Sequence, residues 1–149
     1  MIRVQNLRKH FGPVMAVEDV SFTAADGTKV DVAKLRGKVV IIDFWASWCA
    51  PCMEAVPDVV ALYKKLHGKG LEIVGISLDE DKGAMEGVTQ SSGMVWPQYF
   101  DGKGWENKIS TRYGITDIPQ MWLVDRKGMV VDTDGAEGLT DKVSKMMAQ

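Results

Sequence analysis

The chain has 149 residues and a formal net charge of −2, with 18 Lys and Arg against 20 Asp and Glu. That length fits one domain with an adequate core, and the near-neutral balance argues against a nucleic-acid partner, which needs a basic patch. No run of roughly 18 or more apolar residues reads as a membrane-spanning helix, and the 2 cysteines share one motif, so no separate structural disulfide reports on compartment.

Residues 1 to about 18 read as an extension with no clear element. The opening MIRVQNLRKHFG lacks the apolar stretch of a secretory signal. Either a cytoplasmic protein or a mature or excised portion of a longer secreted chain is expected. Val4 to Phe22 resembles the opening strands of transporter ATPases, but that reading needs a Gly-x4-Gly-Lys-Ser/Thr loop soon afterwards. Gly37-Lys38 is followed by Val39, so it fails. Asp19 to Thr23 and Thr28 to Val32 alternate as strands, with Asp26-Gly27 as the hairpin turn. Lys34 to Lys38 is a short polar link.

Val39 to Cys52, VVIIDFWASWCAPC, organises the rest. Its β-branched and aromatic run predicts a strand buried on both faces. Pro51 suits the first turn of a helix, where its missing N–H has no intrahelical partner. Cys49 therefore falls at the helix N-terminus, where free N–H groups and the helix dipole favour a thiolate. Cys52 follows one turn later, on the face of Ala55, Val56, Val59, Tyr63 and Leu66. Cys49 is expected to be reachable and to attack a substrate disulfide, and Cys52 to be shielded and to resolve the mixed disulfide. Asp43, inside the strand, is expected to be buried with a raised pKa, able to take and return the Cys52 proton. The alternative is a carboxylate satisfied by local backbone donors.

The helix is expected to bend at Pro57 and to end near Gly68-Lys69-Gly70, with His67 facing the dipole rather than a metal. Leu71 to Leu78 is the next strand. Asp79-Glu80-Asp81 reads as an N-cap and a solvated acidic loop. Gly83 to Ser92 is a weak helix and Met94 to Phe100 a short strand interrupted by Pro97. After a turn at residues 101–104, Trp105 to Tyr113 is a short helix closed by Gly114. Met121 to Val124 and Met129 to Val131 form a hairpin. Thr140 to Met147 is a last helix with Val143, Met146 and Met147 facing the sheet. The tryptophans read as core or motif residues.

DFWASWCAPC resembles the active-site strand and motif of thioredoxins, in which a buried aspartate precedes Trp-Cys-x-Pro-Cys. YGITDIPQMWLVDRKGMVV, Tyr113 to Val131, resembles the thioredoxin segment carrying a cis-proline before a strand. The resemblance implies that Ile118–Pro119 is cis and presents backbone to an extended substrate. It also implies that Trp48 lies beside the thiols, so that Trp48, Pro51, Ile118 and Pro119 form the substrate-binding set. FTAADGTKVDVAKLRGKVVIIDFWASWC, LEIVGISLDED and WPQYFDGKGW resemble the TlpA-like redoxins, the match covering roughly residues 19 to 135. The fold implied is α/β: a thioredoxin fold with a central mixed β-sheet flanked by helices, an N-terminal β-hairpin, and a helix and strand inserted before the cis-proline half.

Three departures stand out. Ala55 occupies the place of a glutamate usual in TlpA-like proteins, with Glu54 one position early. Gly75 stands where thioredoxins pair their buried aspartate with a lysine. Gln120 follows Pro119 where threonine is common.

The implied activity is reduction of protein disulfides through a Cys49–Cys52 redox disulfide, without cofactor, metal or nucleic acid, in a monomer. The resemblance also implies a periplasmic or membrane-tethered setting and a membrane or soluble thiol electron donor, with cytochrome maturation as a possible client process. A thiol peroxidase is an alternative, yet its Pro-x-x-x-Thr-x-x-Cys pattern is missing, Ala46 standing three before Cys49. A metal-binding module is another, although structural zinc wants four ligands and the only remaining nitrogen donors, His10 and His67, sit on segments with no ligand spacing.

Overall fold

The computed structural model describes residues 15–16 and 20–149. Readings that fall on residues 1–14, His10 among them, and on 17–19 lie outside the described residues. The described residues form eight strands: β1 (Met15–Ala16), β2 (Ser21–Thr23), β3 (Lys29–Asp31), β4 (Val39–Trp45), β5 (Leu71–Ser77), β6 (Gln98–Tyr99), β7 (Gln120–Val124) and β8 (Met129–Asp132). The α-helices are α1 (Ala50–Leu66), α2 (Lys82–Ser92), α3 (Lys108–Arg112) and α4 (Leu139–Met147).

Six strands form one mixed sheet in the order β1-β8-β7-β4-β5-β6, and β2 pairs with β3 as a separate antiparallel hairpin. Every residue of β4 is buried, as its continuous apolar run requires of a strand with neighbours on both edges. It runs parallel to β5 and antiparallel to β7. One contiguous core extends from Val20 of the hairpin to Val143 of α4. The hairpin turns at Asp26-Gly27: the Asp26 carboxylate accepts from Thr28 N at 2.9 Å, and Gly27 takes φ +92°.

Four local expectations are corrected. Met15–Ala16, placed by the sequence reading in an uninterpretable extension, pairs with β8 as an edge strand. The polar link before β4 begins with a 3-10 turn, Val32–Leu35, capped by the Asp31 carboxylate. The strand predicted over Met94 to Phe100 shrinks to Gln98–Tyr99, because Pro97 has no N–H for a ladder and instead accepts from Gly75 N through its carbonyl. The helix predicted from Trp105 divides at Asn107, which is fully buried and whose Oδ1 accepts from Ile109 N and Ser110 N, starting α3 afresh. Elsewhere α1 continues through Pro57 as one element. His67 caps its end, its Nδ1 3.2 Å from Leu71 O and its ring stacked on Tyr63.

Candidate active site

β4 and β5 are parallel and β7 runs against them, so the segments after β4, after β5 and before β7 meet at one end of the sheet. That end carries Trp48 and the cysteines, Asp79, and Ile118–Pro119. The register pairs Phe44 with Gln120, which sets Pro119 across from the exit of β4. The Ile118–Pro119 bond is cis, and both residues are half-buried.

Cys49 and Cys52 form a disulfide, with Cα atoms 5.2 Å apart. Cys49 is the N-cap of α1, and Pro51 lies in its first turn. Cys49 Sγ accepts from Cys52 N at 3.2 Å. A sulfur that receives a backbone N–H at a helix N-terminus is placed to carry negative charge once the bond opens. The expected contrast between an open and a sealed sulfur is corrected for the disulfide form. Cys49 is 6% exposed and Cys52 3%. What stands open is Trp48, 54% exposed, and exposed Pro51.

Asp43 lies in mid-β4, 4% exposed, between Gly75 of β5 and Met121 of β7. Its Oδ1 is buried without a hydrogen-bond partner, which removes the reading of a carboxylate satisfied by backbone donors at that atom. Burial alone pushes its pKa up to about 7. Met121, its cross-strand neighbour, lines a cavity of about 270 Å³ together with Ala55 and Asp58 of α1 and Leu139 and Asp141 of α4. The helix bearing the cysteines therefore covers the Asp43 face of the sheet. Ala55, the site of the expected glutamate, opens onto this cavity.

Three residues of this region escaped the sequence reading. Asp79, assigned there to a solvated loop, is 1% exposed. Its carboxylate accepts from Ser47 N at 3.1 Å, from Ser47 Oγ at 2.5 Å and from Ser77 Oγ at 2.8 Å, tying β5 to the turn before Trp48. The N-cap role belongs to Asp81, which accepts from Gly83 N. Trp105 is 45% exposed, its ring centroid 5.9 Å from that of Trp48. Gln98 is buried, with Oε1 accepting from Trp45 Nε1 at 2.8 Å. A carboxylate two residues beyond a buried strand, with serines in facing loops, is the one sequence signal that could have marked Asp79. The other two depend on chain segments meeting across the sheet.

Residues 37–130 match the family model described as Thioredoxin-like, and the chain belongs to that family. It is 36% identical over 110 residues to the thiol-disulfide oxidoreductase ResA of Bacillus thuringiensis (strain Al Hakam), covering 74% of this chain. The chain spans 62% of the length of that relative. Among solved structures it resembles a thiol-disulfide oxidoreductase from Bacteroides fragilis NCTC 9343, with TM-score 0.76 and 28% identity over 88% of this chain and 98% of that one. It also resembles a thiol:disulfide interchange protein of the thioredoxin family from Chlorobium tepidum TLS, with TM-score 0.73 and 25% identity over 90% and 97% of the two chains. The fold is the thioredoxin fold, with the hairpin and the inserted α2–β6 element that the TlpA-like resemblance implied.

Proposed function

We propose that this chain is a single-domain thiol–disulfide oxidoreductase that reduces disulfides in client polypeptides. The observation that carries the reading is the Cys49–Cys52 pair at the tip of α1, with Cys49 Sγ receiving a backbone N–H. In the dithiol form, the Cys49 thiolate attacks one sulfur of a client disulfide. A bond forms between Cys49 Sγ and that sulfur, and the other client sulfur leaves as a thiolate. Cys52 then gives its proton to the Asp43 carboxylate, and its sulfur attacks Cys49 Sγ. The internal disulfide forms, the second client thiolate departs, and two electrons have passed to the client. An external dithiol must return the protein to its reduced form.

Trp48, Pro51, Ile118 and Pro119 frame the approach of an extended client, and Trp105 widens the aromatic surface beside Trp48. The TlpA-like resemblance favours an extracytoplasmic setting, with the donor a membrane-bound or soluble thiol protein. Among the described residues no helix is long and apolar enough to cross a membrane, so a tether would come from outside them.

The test is insulin reduction with dithiothreitol as the electron source. Turnover should vanish in Cys49→Ser, whereas Cys52→Ser should accumulate a mixed disulfide visible by mass. Turnover retained in Cys49→Ser would remove Cys49 as the nucleophile.

A further inference from the structure

Three strands lie in register beside the cysteine-bearing helix. Asp43 on β4 pairs with Gly75 on β5, and Gly75 pairs with Gln98 on β6. Both pairings are parallel, so the three side-chain positions project from one face of the sheet. The middle position has no side chain, and the Gln98 carboxamide occupies the space. A Cβ added at Gly75 would collide with it. From there Gln98 reaches β4, where its Oε1 accepts from the indole of Trp45, two residues beyond Asp43 and on the same face. That bond also settles the orientation of the amide, since the indole N–H can only donate.

Two buried polar atoms on this face lack a partner among the described residues: Gln98 Nε2, a donor, and Asp43 Oδ1, an acceptor. Buried groups of this kind are rare enough to call for a reason. Here each is what the other requires, with only a glycine between them.

We propose that Gln98 is a positioning residue for the exchange reaction, its Nε2–H serving as the hydrogen-bond donor to the ionised Asp43 carboxylate, directly or through one bridging water. This rests on the reading of Asp43 as proton acceptor for Cys52. A donor to the charged form favours that form and opposes burial. Gln98 thereby keeps Asp43 able to ionise near neutral pH, so that it can take the Cys52 proton. The residues paired with Asp43 in the sheet cannot do this: β5 offers Gly75 and β7 offers Met121, and the cavity beside Met121 is lined by the carboxylates Asp58 of α1 and Asp141 of α4 and by Thr140. Among the described residues no positive charge offsets the burial. Gly75 is explained by the same arrangement, because any side chain there would displace the amide.

The experiment follows the Asp43 carboxyl directly. The full chain, oxidised and labelled with 13C at aspartate Cγ, is titrated by NMR, with Asp43→Asn assigning the resonance. Gln98→Met removes the amide. Gln98→Leu also removes the amide without adding a charge, and serves should the methionine variant fail to fold. The Asp43 midpoint should rise by about one pH unit or more in each, as expected for loss of a hydrogen bond to a charged group. Midpoints that stay in place or fall would overturn the proposal. The titration needs no turnover. A protein whose Asp43 follows Gln98 but which reduces no disulfide would sink the exchange reading alone.

Discussion

Two carboxylates are buried near the cysteine pair, and their surroundings differ. Asp79, just after β5, accepts three kinds of donor: the Ser47 amide, the Ser47 hydroxyl and the Ser77 hydroxyl. Asn107 adds its amide to the carbonyl of Ser77 and steadies the strand end below. Asp43, in mid-β4, has an oxygen with no partner and a pKa pushed up to about 7 by burial. Burial is nearly the same for the two, 1% and 4% exposed. The supply of donors is what separates them. A carboxylate saturated with hydrogen bonds works as a clamp on the turn that presents Trp48 and Cys49. One with a free oxygen, beneath the helix that carries Cys52, is the one we propose as the acid and base.

Breaking that comparison should produce its largest effect at Asp43, in the dependence of stability on pH. With the folded pKa near 7 and an ordinary unfolded value of 3.8, the folded chain holds a proton that the unfolded chain has lost between those limits. Stability therefore falls as pH rises from about 4 to about 7 and then levels. Asp43→Asn should be the more stable protein at pH 8, by up to roughly 4 kcal/mol, with the gain fading near pH 4. Urea unfolding at the two pH values measures it. A constant difference would mean that Asp43 is not the titrating group. The same variant should slow formation of the internal disulfide from the mixed disulfide by about a hundredfold, as followed by rapid quench and mass measurement.

Asp79→Ala should act in the opposite sense, costing about 3 kcal/mol by leaving its buried donors without an acceptor. Urea unfolding measures it, and a loss below about 1 kcal/mol would erase the distinction between clamp and exchanger. The smallest effect is expected at Trp105→Ala, about a threefold rise in KM for insulin with little change in kcat, from loss of an exposed ring beside Trp48. An unchanged KM would remove Trp105 from the client surface.

Much of this arrangement was legible in the chain. The run from Val39 to Trp45 could only be a strand covered on both faces, and Pro51 beside two cysteines could only open a helix with Cys49 at its tip. Asp43 was conspicuous because a carboxylate is out of place in such a run. These are local inferences, since one residue's neighbours in sequence are also its neighbours in space. Asp79 was misread because its three residues Asp-Glu-Asp look alike in sequence, and only the fold distinguishes the one turned inward from the two turned out. The openness of Cys49 was misjudged for a similar reason, as its exposure depends on how the surrounding segments pack, and in the disulfide form it is 6% exposed.

The sequence by itself determined two thiols at a helix start and an acid in the preceding strand, and the family resemblance implied the proline segment that meets them. It could do so because strand burial, helix capping and residue spacing act over a few residues. Tertiary structure decided which groups serve that chemistry. Gln98 lies 55 residues beyond Asp43 in the numbering yet two strands away in the sheet, and Asp79 reaches Ser47 across 32 residues. Hydrogen bonds between such positions depend on strand order and register, which form only when the whole sheet assembles.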